Sequence, residues 1–171
     1  MNKVLIIDTS ILCVWLKIPK METCGAAPNQ WDFVRVDQLI EEEKSRNTTL
    51  VLPLATILET GNHIAQAGSR RYETAQALAK IMTEAADVKS PWAAFTDQSV
   101  LWEAEGLKKL ASEWPDLATQ KISIGDATIK TVAEYYHERG VEVDILTGDK
   151  GLKAYQPTTP APVPRRRRSQ T

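Results

Sequence analysis

The sequence predicts an α/β domain, with helices covering both faces of a mostly parallel sheet. Three observations predict it. Residues 4–7 and 50–52 are short, uninterrupted apolar runs of strand length, and residues 141–147 form a third, mixed run that also reads as a strand. Between them lie segments whose apolar residues recur at helical spacing. The two kinds of segment alternate along the chain, the order that joins parallel strands through crossover helices.

In order, residues 3–8 read as a buried strand ending at Asp8. Asp8-Thr9-Ser10 then offers helix-capping side chains, and Ile11, Leu12, Val14 and Trp15 continue as a short helix. Residues 19–30, with Pro19, Gly25 and Pro28, read as a loop. Phe33, Val36, Leu39 and Ile40 define an amphipathic helix closed by the charged run 41–44. Leu50-Val51-Leu52 is a second strand, stopped by Pro53. Helices follow over 55–66 and 70–86, the second capped by Ser69. Residues 92–96 read as a short strand or extended loop. Residues 99–113 read as a helix with Leu101, Leu107 and Leu110 as core candidates, ended by Trp114-Pro115. An apolar piece, 122–124, precedes Asp126 and a helix over 127–138. The strand 141–147 leads to Asp149, which opens a last short helix through residue 155.

Composition places limits on function. With 43% hydrophobic and 25% charged residues, the chain has the balance of a soluble globular protein. It shows no apolar run of membrane-span length and no leader pattern, so a cytoplasmic location without membrane association is expected. The domain is expected over 1–155. Residues 156–171, with Pro157, Pro160, Pro162, Pro164 and Arg165–Arg168, read as a disordered Pro/Arg-rich tail. Removing those four arginines from the 21 cations leaves 17 against 22 anions. The body therefore cannot attract nucleic acid by bulk charge. Cys13 and Cys24 fit no metal-ligand spacing, and with two histidines in the chain zinc is poorly supported. Cys13 reads as a core residue, and a disulfide between the two stays open.

Four acids carry the chemical reading. Asp8, Asp126 and Asp149 each follow a short apolar segment. In an open parallel sheet such positions share the edge where ligands bind. Glu59 lies on the helix after the second strand. Carboxylates brought together raise one another's pKa values, and a hard cation relieves that repulsion. The competing reading is plain helix capping, since all three aspartates stand at expected helix starts.

VLIIDTSIL (residues 4–12), LPLATILETGNHI (52–64), IGDATI (124–129) and ILTGDKGL (145–152) resemble, in order, the four motif regions of PIN-domain nucleases. The resemblance spans most of residues 3–155. It implies a three-layer α/β/α sandwich with a mostly parallel central sheet. It also implies Mg²⁺- or Mn²⁺-dependent endoribonuclease activity, leaving a 5′-phosphate and a 3′-hydroxyl. It places the family's acids on Asp8, Glu59, Asp126 and Asp149 as metal-binding and catalytic residues, and its hydroxyls on Ser10 and Thr147. Beside these, Asn62 shares the helix face of Glu59, and Lys150 adjoins Asp149 as a phosphate contact. The implied partners are an RNA substrate, an antitoxin protein if the chain is of the toxin (VapC-like) type, and a second copy in a homodimer. The long region 70–114 and the basic tail depart from that subgroup. Two other readings stand beside the nuclease. One is a noncatalytic PIN-like module that binds RNA or protein. The other is a phosphotransfer enzyme of dehalogenase or receiver type, which would want a second acid where Ser10 stands or an early acid pair that the chain lacks. Trp31 and Trp92 are the tryptophans expected to be exposed for stacking.

Overall fold

The computed structural model describes residues 2–158. The expected tail lies outside them from residue 159 onward. Three parallel strands form the central sheet in the order β4-β1-β5. β1 (Lys3–Ile7) is the middle strand, paired with β4 (Thr49–Val51) on one side and β5 (Glu142–Leu146) on the other. A middle strand is covered on both faces, which is why its apolar residues are consecutive. Leu5, Ile6 and Ile7 are fully buried.

Two apolar cores flank the sheet. Leu5 and Ile7 face α1 (Thr9–Trp15), α2 (Phe33–Ser45), α3 (Leu54–Gln66) and α4 (Arg71–Ala86), through residues such as Ile11, Ile40, Ile64 and Leu78. Val4 and Ile6 point the other way, onto Ile129, Val132 and Tyr136 of α6 (Ile124–Glu138) and Leu152 of α7 (Lys150–Lys153). Helices thus cover both faces of a parallel sheet, as the alternation predicted. No helix among the described residues is long and apolar enough to cross a membrane.

Several local expectations change. The expected loop 19–30 contains β2 (Thr23–Cys24), which pairs antiparallel with β3 (Trp31–Asp32). Two-residue strands leave no periodic trace in a sequence. Trp92 bridges to Leu50 and is buried rather than exposed, and Trp31 is partly buried against the first core. Arg70, not Ser69, is the N-cap of α4 and sits at φ 55°. The helix expected over 99–113 divides into a 3₁₀ segment (Phe95–Trp102) and α5 (Ala104–Thr119). α5 runs through Pro115. The proline is exposed, while the half-buried face of the helix continues at Leu110, Trp114 and Leu117. A proline on the outer face loses its hydrogen bond but leaves that packing intact. No residue of α5 is fully buried, and Leu107 is exposed, so the core does not extend there.

Candidate active site

The sequence puts Asp8 at the carboxyl end of the middle strand, where the chain turns into α1. Asp8 caps that helix through the Ser10 N–H (3.4 Å), but the cap does not exhaust the carboxylate. Its Oδ2 also accepts from Ser10 Oγ (2.7 Å) and from Thr147 Oγ1 (2.8 Å). Thr147 follows β5, and its hydroxyl accepts from the Asp149 N–H at 2.9 Å. One threonine therefore ties the ends of two neighbouring strands together. The Gly148 N–H donates to Ser10 Oγ at 3.0 Å and completes the ring. Asp149 caps α7, with Oδ1 accepting from the N–H groups of Gly151 (2.6 Å) and Leu152 (3.3 Å). Both aspartates thus cap helices and stand at one sheet edge, so the two readings of them do not compete.

Glu59 arrives from α3. Thr9, the residue after Asp8, donates its hydroxyl to Glu59 Oε2 at 2.9 Å. On the other side, a Cβ at Gly125 would collide with Glu59 Oε1. The Glu59 carboxylate is therefore wedged between the neighbour of Asp8 and the neighbour of Asp126. Asp8, Glu59 and Asp149 each have one oxygen engaged by the protein, while Oδ1, Oε1 and Oδ2 respectively take no hydrogen bond from a described residue.

Asp126 reaches the cluster differently from its expected position. Residues 122–124 form no strand. Ser123 caps α6 by accepting from the Asp126 N–H at 3.0 Å. Asp126 thus sits in the first turn of α6 rather than past a strand end, and Ile124 of the apolar trio is half exposed. Burial pushes the Asp126 carboxyl up. The Ser123 hydroxyl partly offsets this, and the negative charges of Asp8, Asp149 and Glu59 add to it. Asp126 therefore lies in the field of the other three acids. Among the described residues the four acids do not form a ready-made metal cage, and none of the four is in an ion pair with a lysine, arginine or histidine.

Of the other expected residues, Ser10 and Thr147 are inside this network. Lys150 is exposed beside Asp149. Asn62 is exposed one turn beyond Glu59, and among the described residues it makes no hydrogen bond to the acids. Sequence reasoning missed Thr9, Ser123 and Gly125. Thr9 and Ser123 were open to discovery as hydroxyls beside an acid and at a helix start. Gly125 was not, because its requirement comes from a side chain 66 positions away. Both cysteines are free, and burial pushes the Cys13 thiol up to about 12.

All-oxygen donors of this kind suit Mg²⁺ or Mn²⁺. The free oxygens of Asp8, Glu59 and Asp149, with the Asp126 carboxyl raised by burial and then by its like-charged neighbours, are the groups that could hold such an ion. Compared with known proteins, the chain matches no family model, no curated protein and no solved structure.

Proposed function

We propose that this chain is a PIN-type endoribonuclease that uses Mg²⁺ or Mn²⁺ held by Asp8, Glu59, Asp126 and Asp149. The observation that carries the reading is a charge imbalance. Asp126 lies in the field of three acids from three other segments, and among the described residues no cation is paired with any of the four. A fold tolerates that arrangement where an external cation completes it. The noncatalytic alternative would leave the repulsion without a use.

Held by these four acids, a hard divalent ion would supply charge against the phosphodiester and make the attacking water more acidic. The residues of the chain supply position. Ser10 and Thr147 both hold Oδ2 of Asp8, and its Oδ1 takes no hydrogen bond from a described residue. Thr9 and the bare backbone of Gly125 hold Glu59 between Asp8 and Asp126. The N–H groups at the start of α7 hold Asp149. Positioning of this kind is a main source of rate in phosphoryl chemistry.

The test is cleavage of a panel of structured and single-stranded RNAs with Mg²⁺, Mn²⁺ or EDTA. The expected result is metal-dependent cutting with 5′-phosphate ends, lost in Asp8→Asn and in Asp126→Asn. Folded wild type that binds RNA in Mg²⁺ and Mn²⁺ without cutting it would establish the binding module instead. Cutting that survives EDTA and both substitutions would remove the acids from the chemistry.

A further inference from the structure

The acid cluster cannot itself draw in a polyanion, and the body of the chain is acidic, so attraction must be local. A cavity of about 260 Å³ opens beside the cluster. It shares Thr147, Gly148 and Asp149 with the site just described, and the rest of its lining includes Trp31, Arg35 and Lys150. Asp149 is its one carboxylate among those lining residues. By contrast, the cleft between α5 and α6 is lined by Glu103, Glu105, Glu134 and Glu138 against Lys109 and Arg139.

Arg35 is prepared for an anion. Its Nη1 donates to the Gln30 carbonyl at 2.9 Å, and its guanidinium lies 3.9 Å from the centroid of the Trp31 ring. Held on two sides, it still has N–H groups to offer, and among the described residues it is in no ion pair. Lys150 is exposed and likewise unpaired. Lys153 is different, being committed to Asp144 (2.6 Å), the Ile145 carbonyl and Gln156. The ribbon that carries Trp31, and leads into α2 with Arg35 in its first turn, is also fixed against the turn that bears Asp149. A Cβ at Gly148 would stand 2.7 Å from Cys24 Sγ and 2.8 Å from the Gly25 nitrogen. The β2–β3 ribbon is therefore pressed onto the turn between Thr147 and Asp149, with no room for a side chain between them.

We propose that this cavity is a phosphate subsite for a single-stranded RNA substrate. Arg35 and Lys150 hold a backbone phosphate adjacent to the one presented to the acids, and the stacked Trp31–Arg35 pair forms the platform under the neighbouring base. Guanidinium groups recognise phosphate through directed N–H donors and offer a planar face to a base. The subsite rests on the nuclease reading and adds the residues that hold the polymer.

The test measures binding of a short fluorescein-labelled single-stranded RNA in Mg²⁺, in an Asp126→Asn background that does not cut. Arg35→Ala combined with Lys150→Ala is expected to weaken binding about tenfold or more. The salt slope should fall by about 0.7 for each phosphate that the protein no longer neutralises. Arg71→Ala, which removes an exposed cation elsewhere, should leave both nearly unchanged. In the cutting enzyme the same double substitution is expected to raise KM while leaving kcat at saturation in place. Lys150→Glu, at an exposed side chain, should raise KM too, which keeps the test decisive if Arg35→Ala loosens the ribbon. Metal-dependent cutting with unchanged KM and salt slope in both the double variant and Lys150→Glu overturns the subsite alone. Failure of the unsubstituted chain either to bind or to cut RNA overturns the nuclease reading and the subsite with it.

Discussion

The two ends of β1 each bury a carboxylate, and they treat it in opposite ways. At the start of the strand, Glu43 is 3% exposed. Its oxygens accept from Thr48 Oγ1 at 2.6 Å, Lys3 Nζ at 2.9 Å and Arg46 Nη1 at 3.3 Å. Burial pushes that carboxyl up, but the hydroxyl, the ammonium and the guanidinium together outweigh it and hold it below the ordinary carboxylate range. At the far end, Asp8 is 5% exposed and is held by hydroxyls and one N–H, without a cation. Its neighbour Asp126 is pushed up by burial and by three like charges. One strand thus separates a carboxylate neutralised within the fold from a group left in deficit. The contrast locates the site better than the presence of acids does, because buried acids occur at both ends.

The largest expected effect on stability lies at the neutralised end. Glu43→Ala strands the buried Thr48 hydroxyl and leaves the Lys3 ammonium only its longer contact to Asp144 (3.7 Å), and should cost about 2–3 kcal/mol in urea unfolding. A loss below about 0.5 kcal/mol would mean that the ion pairs are as weak as exposed ones, and the comparison would collapse. Gly125→Ala probes the other end and should rank next. The new methyl meets the Glu59 carboxylate, which must leave its place between Thr9 and Asp126. The displaced atoms are the far end of a flexible side chain, so the stability cost stays at the low end for overpacking, about 1–2 kcal/mol, and the main effect expected is loss of metal-dependent cutting. Full activity in a stable Gly125→Ala protein would show that Glu59 is not needed where it stands. Thr147→Val should cost less, about 1 kcal/mol for the lost hydroxyl bond, and thermal unfolding of the metal-free protein reads it directly. The same variant should also cut more slowly at saturating RNA, since Asp8 loses one of the groups that orient it.

How much of this was legible follows from which forces act locally. Asp8 could be read because an apolar run ends on it and capping residues follow, and Asp149 for the same reason. Asp126 was legible as a residue but not in its register. Ile122-Ser123-Ile124 looks like a strand by composition, whereas Ser123 caps a helix that begins at Ile124, ahead of the expected start at 127, and Ile124 turns outward. Glu43 was hidden, since a glutamate inside the run 41–44 looks like solvated surface until Lys3, 40 residues away, and Thr48 meet it. Arg35 was hidden similarly, because its stacking on Trp31 depends on a ribbon whose strands are two residues long. Local periodicity and capping carry the fold. The charge balance of the site depends on tertiary approach, and a sequence does not display that.

One isosteric pair sharpens the comparison most, because the two signs differ. Glu43→Gln should destabilise the metal-free protein at neutral pH by about 1–2 kcal/mol. Asp126→Asn should stabilise it by on the order of 0.5–1 kcal/mol, as removal of a functional strain does. Glu43 has a folded pKa below its unfolded value. Its contribution is therefore present above the ordinary carboxylate pKa and disappears as pH falls through the lower folded value. Asp126 has a folded pKa above its unfolded value. Ionising it thus costs the folded state at neutral pH, and that cost fades as pH falls through the raised value toward the ordinary one. Chemical denaturation in EDTA from pH 7 to pH 3 should give two curves of opposite sign that converge toward zero at the acid end. Curves of the same sign would mean that Asp126 already has a compensating partner, and the cluster would then have no deficit for a cation to fill.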